Sequence, residues 1–131
     1  MHASPGRDDG AGITPHRDEQ GLARDLEGGD AQVVFAGHTH QPTDRVVGHV
    51  RAVNLGSVSN PITDDLRASY VVLHADRHGH GVEHRRVGYD RDAFLASVAK
   101  SGHPAADYIA SFQRGEQVRH PARPPAAGRV T

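Results

Sequence analysis

Two histidines one residue apart, His38 and His40, follow a short apolar run in the stretch VVFAGHTHQP, from Val33 to Pro42. A neutral imidazole offers one ring nitrogen to a metal ion while the other donates to a neighbour that fixes the ring. Spacing alone leaves two readings, a polar surface turn or a pair of metal ligands. Position favours the ligands. Ligands bind at the carboxyl ends of strands in open α/β sheets, and Gly37, lacking a Cβ, lets the chain turn sharply where the run ends.

The other histidines carry less. His2, in HASP (2–5), is far from this pair in sequence and alone reads as part of a terminus. His74, His78, His80 and His84 lie on and beside an expected hairpin turn; no carboxylate fixes them as ligands, so they read as a solvated turn, with a second metal site as the alternative. His16, His49, His103 and His120 have no functional reading. NLGSVS (54–59) is no nucleophile elbow. It reads as a tight loop, or as one whose Gly56 and Ser57 turn backbone N–H groups toward an anion.

The elements that must position these residues follow from pattern. Residues 17–27 form a short polar helix with Leu22 and Leu26 on one face, ended by Gly28 and Gly29. QVVFA (32–36) is a buried strand, so helix, glycine turn and strand make the back half of a βαβ unit. Residues 44–54 fit two strands around Gly48 or one strand bent there. Residues 69–75 and 82–90 form a hairpin with its turn at 76–81. Helices follow at 90–102 and 103–115. The patterned portion is about 20–113; residues 1–19 are poor in apolar period, and 116–131 read as a disordered tail.

Composition narrows the function classes. With 131 residues there is room for one small domain. A net charge of −1 gives no nucleic-acid footprint. The absence of cysteine excludes disulfides and thiolate zinc sites. No apolar run approaches the roughly 20 residues of a membrane span, and no signal peptide is visible. A cytoplasmic protein is expected.

HASP (2–5), VVFAGHTHQP (33–42), VNLGSVSNP (53–61) and RASYVVL (67–73), in this order, resemble the calcineurin-like metallophosphoesterases, most closely their small prokaryotic phosphodiesterase branch. The resemblance covers roughly residues 1–113, with Leu55 standing where relatives usually carry proline. It implies an α/β fold, the C-terminal half of a metallophosphoesterase α/β-β/α sandwich with two C-terminal helices. The domain would span 1–90, the helices 91–115 and the tail 116–131. It implies that His2 and His38 bind one metal of a dinuclear centre, that His40 binds the other, that Thr39 is a spacer and that Gly37 is structural. The cofactors would be two divalent ions, of manganese, iron, nickel or zinc, and the substrate a phosphoester. The activity would be metal-dependent hydrolysis of a phosphomonoester or phosphodiester.

The family's D-x-H, G-D and G-N-H motifs, which supply the remaining ligands and the catalytic histidine, are not matched. GGD at 28–30 follows a helix rather than a strand and is not the G-D motif. No catalytic residue is assigned, and three imidazoles do not hold a tight dinuclear site, so the chain is expected to be truncated and inactive alone. Met1 stands where relatives have an apolar strand residue, which leaves a mis-assigned start, a split gene or a degenerate copy. Two other readings stay open: a non-enzymatic divalent-metal-binding module, and an interaction fragment completed by a partner chain or an upstream segment. An open apolar edge on strand 32–36 would favour self-association.

Overall fold

The computed structural model describes residues 1–119. Val33–Ala36 (β1), Thr43–Val47 (β2) and Val50–Asn54 (β3) form a sheet in the order β1-β3-β2. β1 runs parallel to β3, in register from Val33 with Arg51 to Ala36 with Asn54, and β2 runs antiparallel to β3. The choice left at Gly48 resolves as two strands, because Val47 pairs with Val50 across Gly48 and His49.

Glu19–Leu26 (α1) starts where Asp18 accepts a hydrogen bond from the Gly21 N–H at 2.7 Å. Leu22 and Leu26, one turn apart, are buried with Val34, Ala36, Val47, Val50, Ala52 and Ile13. This cluster is the core, and it seats α1 on the three-stranded sheet. Ile13 corrects the reading of residues 1–19. That segment lacks apolar period, yet Ile13 and Ala3 are completely buried. Single apolar residues in irregular backbone leave no periodic trace, and only the tertiary fold shows their burial.

Residues 1–3 also run beside β1, on the side away from β3. The Met1 ammonium donates to the Phe35 carbonyl at 3.2 Å, and the Gly37 N–H donates to the His2 carbonyl at 2.9 Å. The strand edge expected to stand open thus has these two bonds along it.

Ala68–Asp76 (β4) and Gly79–Val87 (β5) form a separate antiparallel hairpin, paired from Ala68 with Val87 to Asp76 with Gly79. Its turn is only Arg77 and His78, shorter than the expected 76–81, because the Asp76 carboxylate accepts from the N–H groups of His78 and Gly79. Ser69 ties the hairpin to the body through its N–H to the Ser57 carbonyl and its hydroxyl to the Leu55 carbonyl.

Arg91–Lys100 (α2) is capped by Asp90 and packs against Ala106–Gln113 (α3). α3 buries Ala110, Ser111, Phe112 and Gln113, and the Gln113 amide donates to the Ser59 carbonyl. Residues 116–119, expected to begin a disordered tail, are tied down. Gln117 donates to the Ser111 hydroxyl at 3.0 Å, and the Arg119 N–H donates to the Ile62 carbonyl at 2.9 Å. The rest of that tail, with His120, lies outside the described residues. Among the described residues no helix is long and apolar enough to cross a membrane.

Candidate functional site

The backbone leaves β1 through Gly37 and enters a turn in which His38 and His40 both have positive φ, 63° and 58°. A side chain in the left-handed region costs about 1–2 kcal/mol, and such strain gathers at functional sites. Here it aims two imidazoles from one short loop. The expectation for Gly37 is corrected in its reason: its φ is not positive, and a Cβ added there would meet open space. The histidines themselves make the turn, while Gly37 supplies a backbone N–H and carbonyl to its neighbours.

Asn54, at the end of β3, holds the loop in place. Its side chain is fully buried. Its amide nitrogen lies 3.1 Å from the Ile13 carbonyl, 2.5 Å from the Gly37 carbonyl and 2.8 Å from Thr39 Oγ1. Its Oδ1 accepts from the Gly56 N–H. Thr39 is therefore more than a spacer: its hydroxyl accepts from Asn54 and donates to the Ile13 carbonyl at 3.1 Å.

His2 and His38 converge across 36 residues of chain. His38 Nδ1 lies 3.0 Å from His2 Nε2, with the rings in an edge-to-face arrangement. His38 Nε2 lies 3.1 Å from the Gly10 carbonyl. A carbonyl can only accept, so Nε2 of His38 carries a proton. In the neutral ring Nδ1 then accepts, and His2 donates from Nε2. His40 packs its ring edge-to-face against Phe112 of α3 at 6.1 Å. Burial pushes the His40 pKa below the usual histidine range. A hydrogen bond with the Asn60 backbone opposes this, and the nearby His38, His2 and Arg119 charges add to the lowering. A neutral imidazole is the form that ligates a metal.

The structure thus brings His2 and His38 into contact and sets His40 beside them. It does not bring in the hairpin histidines. His84 turns inward from β5, with Nε2 2.8 Å from the Asn54 carbonyl. His74 pairs at 3.9 Å with Glu83, and His78 accepts from Arg77. Among the described residues no group of three or more His, Cys, Asp or Glu side chains is arranged to hold one metal ion. Asn54 and Phe112 are the site residues the sequence did not disclose. Asn54 had a local signal, a polar residue closing a strand before the Gly56 turn; Phe112 had none beyond its helix.

A cavity of about 400 Å³ opens beside His38 and His40, walled by α3 and the segment after it, with Tyr108 and Arg119 at its margin.

The calcineurin-like phosphoesterase superfamily domain matches residues 6–78, more than half of the chain. No curated protein matches. Several solved structures are similar in fold. A metallophosphoesterase from Sphaerobacter thermophilus matches at a TM-score of 0.69 and 21% identity, over 88% of this chain and 54% of that one. A hypothetical protein from Pyrococcus horikoshii matches at a TM-score of 0.64 and 15% identity, over 86% of this chain and 44% of that one. The chain spans about half the length of these relatives.

Proposed function

The chain belongs to the calcineurin-like phosphoesterase superfamily, and on that premise we propose that His2, His38 and His40 are its contribution to a phosphoesterase metal centre. The contact between His2 and His38 carries this reading. Residues from two remote parts of the chain meet at the exit of a parallel strand, where ligands bind in α/β sheets. The overall activity would be hydrolysis of a phosphomonoester or phosphodiester.

The family generally uses divalent metal ions, and the donor set present fits such ions in kind and not in number. Imidazole suits manganese, iron, nickel and zinc. When bound, such ions supply Lewis acidity toward a phosphoryl oxygen. A metal takes about four ligands or more, and the described residues hold no cluster of that size. We therefore derive no hydrolytic step from this chain alone and infer that it is inactive by itself. Its own residues do the preparatory work. Asn54 and Thr39 fix the loop, and burial keeps His40 neutral. Further ligands would come from another segment of polypeptide, in the same chain or a partner. Residues 1–90 as the half-domain, 91–115 as its helical wall and a cytoplasmic location belong to the same proposal.

The test is titration of the tag-free chain with Mn²⁺, alongside assay of an activated phosphodiester. Weak binding that is lost in His38→Ala, without hydrolysis, is expected. Binding unchanged by alanine at His2, His38 and His40 overturns the ligand assignment. Mn²⁺-dependent hydrolysis by the pure chain, abolished by His40→Ala, overturns the inference of inactivity.

A further inference from the structure

We infer that the cavity beside His40 is a subsite for a nucleotide-type phosphoester, its aromatic base against Tyr108 and its phosphate at Arg119. The inference rests on the phosphoesterase reading for the substrate class, and on the following observations for the subsite.

The first is the charge of the walls. The chain has 16 acidic residues, but none lines this cavity. None lines the adjoining one of about 260 Å³ either, which shares Gln41, Ile62 and Arg119 with it. An anion entering this groove meets no carboxylate at its surface.

The second is Arg119. Arg17, Arg51, Arg67, Arg85, Arg86 and Arg114 each pair with a carboxylate. Among the described residues Arg7, Arg24, Arg45, Arg77, Arg91 and Arg119 have no such pair, and of these only Arg119 lines the cavity. Its backbone is pinned to Ile62 and its charge is felt by His40. A guanidinium held by its backbone, with no internal carboxylate, suits a phosphate.

The third is the aromatic series. His40, Phe112 and Tyr108 meet in successive edge-to-face contacts, 6.1 Å and then 5.2 Å between centroids. Phe112 is buried, while Tyr108 is 60% exposed at the cavity margin. Phe112 thus supports a tyrosine ring that solvent still reaches, and an exposed aromatic on the same cavity as a cation is a stacking platform for a base. At about 400 Å³ the cavity also falls in the range of small-molecule sites and is larger than a lone phosphate fills.

The experiment is NMR titration of the full chain in EDTA with adenosine monophosphate, ribose 5-phosphate, adenosine and phenyl phosphate. Metal binding plays no part in it, so failure of the metal-centre reading and failure of the subsite are separable. Adenosine monophosphate should bind roughly tenfold more tightly than ribose 5-phosphate. Tyr108→Ala should erase that difference and Tyr108→Phe should keep it. Arg119→Gln should weaken both phosphates and leave adenosine unchanged. Equal binding of the two phosphates, or loss of the ring preference in Tyr108→Phe, overturns the stacking role. Phenyl phosphate binding as tightly as adenosine monophosphate overturns the nucleotide assignment. No perturbation at Gln41, Ile62 or Tyr108 overturns the subsite altogether.

Discussion

The side-chain amide of Asn54 lies 2.8 Å from Thr39 Oγ1, so the end of β3 fixes the residue between the two strained histidines. The same nitrogen serves the Ile13 and Gly37 carbonyls. Asn54→Ala removes these bonds and leaves the buried Gly56 N–H without its acceptor, at about 1–3 kcal/mol. We expect a loss of about 3 kcal/mol in urea unfolding. Asn54→Asp should not rescue, because at neutral pH a carboxylate turns an acceptor toward acceptors. Equal stability of Asn54→Asp and the parent would refute the network.

Glycine positions separate cleanly. At Gly56, with φ of 81°, an added Cβ would lie 2.7 Å from Ser69 Oγ and 2.8 Å from Pro42 Cγ. Gly56→Ala should cost about 1–3 kcal/mol and loosen the hairpin, because Ser69 is one of its ties to the body. Gly37→Ala should change the melting midpoint little. Thermal unfolding of the two variants side by side is the check.

His38 predicts a rank order. With its φ at 63°, asparagine tolerates the position best among ordinary replacements and a β-branched residue worst. His38→Val should be less stable than His38→Asn by about 1–2 kcal/mol. Matching denaturation midpoints would show that the loop relaxes out of the left-handed region.

Acid sensitivity should centre on Asp65. The forked hydrogen bond from Arg67 holds its carboxyl well below the usual carboxylate range, with help from Arg86. Asp44, bridged by Arg51, is lowered in the same way. A lowered carboxylate favours the folded state above the unfolded value of about 4, and that contribution is lost as pH falls below it. The urea midpoint should hold from pH 7 to about pH 5 and drop below about pH 4. Asp65→Asn should flatten the drop; a parent curve rising toward pH 3 would contradict the assignment.

Much of the scaffold was legible in the sequence because it is locally encoded. Leu22 and Leu26 repeat at helical spacing, QVVFA is a continuous apolar run, and SYVVLHA and VEHRRVGYD sit on either side of a turn. Residues of the candidate site were legible where a motif held them together, as with GHTH. What escaped was long-range. Nothing near Ile13 marks it as core, nothing near His84 tells that it bonds Asn54, and the packing of Phe112 on His40 joins residues 72 positions apart. The short hairpin turn was misread because Gly79, His80 and Gly81 look like loop, whereas register with Asp76, Ala75 and His74 keeps them in the strand.

The hairpin of β4 and β5 has a complete ladder of its own, while its hydrogen bonds to the remainder run through Ser69, His84 and Arg86. Such a molecule should open as two cooperative units of unequal strength. Heating should release them in overlapping steps, so that the calorimetric enthalpy exceeds the van't Hoff enthalpy. Amide protons of the hairpin should then exchange through partial openings that leave the α1-covered sheet intact.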